Sequence, residues 1–200
     1  MSLLLETIKV SNQKLQNIDY HNERFNRSRR ELLGVSGGLD LEKIIKIPEK
    51  IGNQIHKCRV LYTESIETIE FQAYQIKSIT SLQLVIANHI SYDYKFADRS
   101  MIAALCTQAS GSEILIVKNG FVTDTSYANI AFFDGKDWIT PSTPLLKGTK
   151  RSLLLQEKKI IEDEVKLTDL PKFQFAKIIN AMIDLEESPL IPIQNMPMEK

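Results

Sequence analysis

Apolar and polar positions alternate loosely through "LLLETIKV", break at "SNQK" and resume in "LQNID", which predicts an opening hairpin. Asp19 then precedes "YHNERFNRSRRELLG", where Phe25, Leu32 and Leu33 share one helical face. Asp19 is the expected N-cap and Gly34 the expected stop. After the loop "VSGG", the segment "LDLEKIIKI" reads as a second helix ending before Pro48. From His56 the period changes to two with β-branched residues. "HKCRVLYT", "ETIEFQAYQ" and "LQLVIA" predict three strands in meander order, and the aperiodic "NHISYDY" follows as a junction.

Downstream, "ADRSMIAALCTQA" predicts a helix closed by "SGS", and "EILIVKNGFVTDT" a hairpin turning on Asn119-Gly120, a pair suited to a type I′ turn. "NIAFF" and "WIT" predict another hairpin around "DGKD". A helix over "GTKRSLLLQEK" and strands in "IIEDEV" and "FQFAKIINAM" complete the chain, with no internal repeat or low-complexity segment. The division expected is a small N-terminal α+β domain over residues 1–86, a linker over 87–94 and a larger domain over 95–200.

Two hundred residues suffice for one large core or two smaller ones, and 43% hydrophobic with 25% charged residues is a globular composition. Lys plus Arg and Asp plus Glu each total 25, so the chain lacks the basic excess usual in nucleic-acid binders. Cys58 and Cys106 stand far apart in no ligand spacing, which argues against a disulfide framework or a zinc site and predicts a reducing, cytoplasmic setting. "MSLLLETIKV" reaches Glu6 without the basic start and long apolar run of a signal peptide, and no stretch approaches the ~20 apolar residues of a membrane span.

The chemistry concentrates in "NGFVTDTSYANIAFFDGKDWITP", where Asp124 and Asn129 bracket small polar residues ahead of the apolar run Ile130–Phe133. Asp is a poor strand former, and a buried carboxylate is costly unless a cation or hydrogen-bond donors face it. Taken singly, Lys95 reads as a surface lysine, Asp124 as a strand-ending turn residue, Arg24 as part of a solvated basic helix face with Arg27, Arg29 and Arg30, and Gly148-Thr149 as a helix cap. Their joint order says more.

"GFVTDTSYANIAFFDGKDWITPSTPLLKGTKRSLL" resembles the signature region of the class IV aminotransferases, the fold-type IV pyridoxal-phosphate enzymes. That family includes branched-chain and D-amino acid aminotransferases and 4-amino-4-deoxychorismate lyase, an enzyme of folate biosynthesis. Asp124 stands where the family carries glutamate, and Thr149-Lys150 replaces its apolar-polar pair after the glycine. "YDYKFADRSMIAAL" resembles the family's lysine segment, "YHNERFNRS" its histidine-arginine helix start, and "IINAMIDLEESPLIPI" its closing segment.

The resemblance implies a two-domain α/β (α+β) fold of the D-amino acid aminotransferase kind, with a larger β-barrel-like domain, a cofactor cleft between the domains and a homodimer. Pyridoxal 5'-phosphate is the implied cofactor and an amino-acid-like small molecule the implied substrate. Lys95 becomes the cofactor-linking and catalytic base residue; a neutral fraction is needed, and burial with Arg99 nearby would depress its pKa. Arg24, the N–H groups of Thr149 and Lys150 and the Asn180 amide would hold the phosphate, Asp124 would face the ring nitrogen, and Asn129 would also bind the cofactor. The Ala181 N–H would take the substrate carboxylate, and His21 would orient its helix. "INAM" is closer to the lyase's closing segment than to that of the aminotransferases, which favours the lyase. Transamination of branched-chain or D-amino acids, or a catalytically degenerate cofactor-binding protein, remain open as alternatives.

Overall fold

A computed structural model describes residues 2–107, 109 and 113–196, and it divides into two compact units, residues 1–76 with 94–98 and residues 77–93 with 99–200. The "SGS" expected to close a helix at 110–112 lies outside the described residues.

The first unit is a four-stranded antiparallel sheet under a long helix. Its strands are β1 (Leu4–Ser11), β2 (Lys14–Leu15), β3 (His56–Tyr62) and β4 (Ile66–Ala73), ordered β2-β1-β3-β4. The predicted opening hairpin turns on Asn12 and Gln13, both left-handed. Helix α1 (Ile18–Leu33) begins earlier than expected: Asn17 occupies the cap without a side-chain hydrogen bond, and Asp19 lies in the first turn, where its charge meets the positive end of the helix. Gly34 closes the helix in the left-handed conformation at φ 66°, as its position predicts.

Helix α2 covers only Leu41–Ile44, capped by the Asp40 side chain on the Glu42 N–H. The β-branched run Ile44, Ile45 and Ile47 ahead of Pro48 opposes continuation. Leu4, Ile8, Val10, Phe25, Leu41, Cys58, Val60 and Tyr62 form the core, with the Phe25 and Tyr62 rings 4.4 Å apart. Burial raises the Cys58 thiol to about 12, so it behaves as a small apolar residue.

The second unit holds two sheets. Strand β5 (Leu82–Ile86) is not the third strand of a meander: it pairs in parallel with β6 (Glu113–Lys118), which pairs antiparallel with β7 (Phe121–Thr125). The connection "YQIKSITS" before β5 contains none of the Gly, Pro or Asn a tight return needs, and helix α3 (Ser100–Cys106) lies in the crossover between β5 and β6. This pairing puts residues 82–86 with the second unit, while residues 94–98 join the first, a division different from one at 86 and 95.

The other sheet has five strands in the order β10-β9-β8-β11-β12. They are β8 (Asn129–Phe133), β9 (Trp138–Pro141), β10 (Ile161–Asp163), β11 (Phe175–Ile179) and β12 (Ile191–Pro192). Helix α4 (Thr149–Gln156) packs on it through Leu154, against Ala131, Ile160, Ile179 and Leu185. The β6–β7 turn places Asn119 and Gly120 at φ 52° and 83°, the positive pair a type I′ turn demands. Among the described residues no helix is long and apolar enough to cross a membrane, and no group of His, Cys, Asp and Glu could hold a metal ion.

Candidate functional site

Two buried polar clusters hold the residues singled out in the sequence, one in each unit. The first is built on β1. Leu4, Glu6, Ile8 and Val10 alternate inward, so the carboxylate of Glu6 is sunk in an apolar row. Arg24, one turn into α1, clamps it with two bonds, Nε to Oε1 at 2.7 Å and Nη2 to Oε2 at 2.6 Å, and His21 Nδ1 meets Oε2 at 2.6 Å. Burial alone would raise Glu6, but the charge and hydrogen bonds of Arg24, with His21 added, hold it at about 2. Burial also lowers His21, opposed by Glu6 and helped by the charges of Arg24 and Lys95.

Lys95 joins this cluster through the backbone. Its carbonyl accepts from the Leu5 N–H at 2.9 Å, and Leu4 and Phe96 form a bridge, so Lys95 sits across from the residue preceding Glu6. Lys95 is half-buried. Arg99, expected near it, belongs to the second unit and donates to the Ser126 carbonyl.

Glu6 was not picked out from the sequence as a site residue. The signal was present: an acid at the inward position of the alternation Leu4, Glu6, Ile8, Val10 demands a cationic partner. Glu6→Gln leaves the Arg24 guanidinium buried against a neutral amide, and we expect it to lower unfolding free energy by roughly 3 kcal/mol or more. Urea denaturation at pH 7 checks this.

The second cluster answers why an acid and an amide bracket residues 125–128. Residues 125–128 make a tight turn, with Thr125 N–H on the Ala128 carbonyl at 2.9 Å and the Ala128 N–H on Thr125 Oγ1 at 3.1 Å. It sets the end of β7 beside the start of β8. Asn129 Nδ2 donates to Asp124 Oδ1 at 2.7 Å and to the Leu146 carbonyl at 2.8 Å, while the Leu146 N–H donates to Asp124 Oδ2 at 2.9 Å. Both carboxylate oxygens are thus held by neutral donors. Burial raises Asp124 to about 6 in spite of those bonds and the more distant charge of Arg151. Such an acid is matched to a cation that the cluster does not itself bond to it.

Gly148 presses on this lock. A Cβ there would stand 2.0 Å from Asn129 Oδ1, although the backbone angles of Gly148 suit any residue. Gly148→Ala is therefore a steric test of the lock alone, expected to cost about 1–3 kcal/mol in urea denaturation as Asn129 is driven from Asp124.

Gly148 also opens α4 without a side-chain cap, and the first-turn N–H groups lie at the positive end of the helix. Thr149 and Lys150 are buried there, and Lys150 Nζ pairs with Asp184. The same corner receives the end of β11: Ile179 is in register with Asn129, and the next four residues make a turn. Asn180 Oδ1 accepts from the N–H groups of Met182 and Ile183 at 2.8 and 3.1 Å, and Asn180 N–H bonds the Ile183 carbonyl. The Ala181 N–H stands outside the turn's own bonds.

Within the second unit, then, Asp124, Asn129, Thr149, Lys150, Asn180 and Ala181 belong to one connected corner, and within the first, Arg24 and Lys95 share a cluster. Asp184 and the Leu146 backbone were not foreseen; an aspartate in "MIDLEE" and a backbone amide carry no sequence signal for these bonds.

The profile of the family described as Amino-transferase class IV matches residues 3–187. An uncharacterized protein of Haemophilus influenzae (strain ATCC 51907 / DSM 11121 / KW20 / Rd) is 43% identical over 182 residues, 90% of this chain and 97% of the relative. A crystal structure from Haemophilus somnus 129pt, of a protein provisionally named 4-amino-4-deoxychorismate lyase, superposes with a TM-score of 0.86 at 34% identity, covering 92% of this chain and 98% of that one. A hypothetical aminotransferase of Mycobacterium tuberculosis in its PLP-bound form has the same fold, with a TM-score of 0.74 at 15% identity over 95% and 80% of the two chains.

Proposed function

Starting from the chain's membership of the class IV aminotransferase family, we propose that it binds pyridoxal 5'-phosphate and works as a lyase of the 4-amino-4-deoxychorismate type, releasing pyruvate and p-aminobenzoate. The observation that carries the cofactor is Asp124: a buried carboxylate bonded by neutral donors, whose missing cation a protonated pyridine nitrogen would supply. The lyase assignment draws on the relative of that provisional name, which resembles nearly the whole chain.

Bound there, the cofactor supplies an electron sink for the bond broken at the substrate's α-carbon. The residues do the rest. Lys95 would hold the cofactor through its Nζ and would remove the substrate's α-proton. Arg24, held by Glu6 along its Nε–Nη2 edge, and the N–H groups of Thr149 and Lys150 would bind the phosphate, with the Asn180 amide adding a donor. Asn129 fixes Asp124 through its bond to Oδ1. The Ala181 N–H would take the substrate carboxylate. We also propose a homodimer, to be checked by sedimentation.

Three assays on one preparation test the reading. A lyase releases pyruvate from 4-amino-4-deoxychorismate with no second substrate. If an amino acid alone instead converts the cofactor to its pyridoxamine form, and a keto acid restores it, the protein is an aminotransferase. If PLP binds and neither occurs, the fold serves binding without turnover, and the lyase reading is overturned.

A further inference from the structure

Resting on the cofactor reading above, we infer that the Lys150–Asp184 ion pair is a positioning clamp: it locks the Asn180–Ile183 turn against the first turn of α4, so that the backbone donors of both act on anionic groups in one corner.

The two elements come from distant parts of the chain and need something to hold them in register. β11 delivers Ile179 beside Asn129, and Gly148 packs on the Asn129 amide, so the bases of the turn and of the helix are fixed by the sheet. Beyond Ile179 the turn is closed by its own bonds, Asn180 side chain to the Met182 and Ile183 N–H groups and the Asn180–Ile183 bridge, with Met182 and Ile183 buried, and Leu185 just after it packs with Leu154, further along α4. Beyond Gly148 the helix start has no side-chain cap. Lys150 crosses this interval. Its side chain is 8% exposed and its ammonium meets the Asp184 carboxylate, the residue directly after the turn.

A lysine that bound the anion directly would leave its ammonium to the ligand. Lys150 is instead neutralised by Asp184, and the corner's attraction for anions is left to oriented backbone N–H groups and the helix dipole. The ion pair therefore acts through geometry. A half-buried Asp184, 31% exposed, lets the pair form at modest desolvation cost.

The experiment compares Lys150→Met, Asp184→Asn, the double variant and Lys150→Arg, measuring PLP dissociation constants by absorbance and, independently of the cofactor, the rise in melting temperature produced by inorganic phosphate. Each single variant is expected to weaken PLP about tenfold, the double variant to be no weaker than either single one, and Lys150→Arg, which keeps the pair, to bind as wild type does. Phosphate stabilisation should fall in the same order. Three results overturn the clamp: tighter binding in Asp184→Asn, which would make Lys150 a direct anion ligand; additive losses in the double variant; or unchanged affinities alongside lowered melting temperatures. Should a single variant fail to fold, the uncharged double variant, compared with wild type, decides by the same tenfold loss or its absence. If wild type takes up no PLP, the cofactor reading fails on its own, and the phosphate series still judges the clamp.

Discussion

Lys95→Ala is expected to abolish covalent capture of the cofactor and to lower turnover by at least about three orders of magnitude, with the fold intact. Wild-type protein mixed with PLP should develop a visible absorption band that borohydride bleaches, and peptide mass analysis should find the reduced cofactor on Lys95. The variant should do neither. The fold should survive because the Lys95 carbonyl keeps its bond to the Leu5 N–H whatever the side chain. Removing the lysine charge also removes one of the influences that depress His21. Noncovalent PLP binding should persist in the variant, since the phosphate and ring contacts proposed for Arg24, α4 and Asp124 do not involve it. Trapping at another lysine in wild type would refute the assignment.

The second large effect is a pH dependence centred on Asp124. Burial lifts its pKa from 3.8 to about 6, so the native state holds this proton more tightly than the unfolded chain does. A carboxyl with a raised native pKa stabilises the fold at low pH, and that contribution is lost as pH rises through the interval from 3.8 to about 6. The shift corresponds to about 3 kcal/mol for this buried group. Glu6 runs the other way. Held at about 2 against an ordinary 4.5, it contributes stability above that interval and loses it as pH falls through it.

Relative to Asp124→Asn, the unfolding free energy of the cofactor-free protein should therefore fall between pH 3.8 and about 6, while the acid-side loss due to Glu6 and the rise with pH from the buried His21, whose pKa is lowered, are common to both proteins. PLP should reverse the sign, because a cation against Asp124 favours the carboxylate: cofactor affinity should climb over the same interval, and in Asp124→Asn fall on the order of 100-fold at pH 7.5. Denaturation curves at several pH values with and without PLP supply both readings. A wild-type profile indistinguishable from Asp124→Asn would remove Asp124 from the ring-nitrogen role.

Local chemistry explains which parts of this molecule could be read in one dimension. Asn119-Gly120 encodes its own turn, because only residues tolerant of positive φ can sit there. Gly34 encodes the end of α1 for the same reason. The family resemblance was legible in the order of Arg24, Lys95, Asp124, Asn129 and Gly148, because a cofactor needs particular functional groups at particular places along the fold, and the family profile matches residues 3–187. Strand β5 was misplaced for the opposite reason: "LQLVIA" is equally good in a meander or in a parallel pair, and its partner is settled by the α3 crossover.

The sequence by itself determined most of the longer helices and strands, the turn chemistry and the candidate groups for binding and catalysis, since each depends on a residue's own conformational and chemical character. Tertiary structure alone decided what those groups face. Arg24 lies against Glu6, 18 residues earlier; Leu146 supplies the second donor to Asp124 from 22 residues away; Lys150 reaches Asp184 across 34. A charge removed from water takes its pKa and its role from whichever partner the fold brings to it, and at those separations no local pattern names the partner.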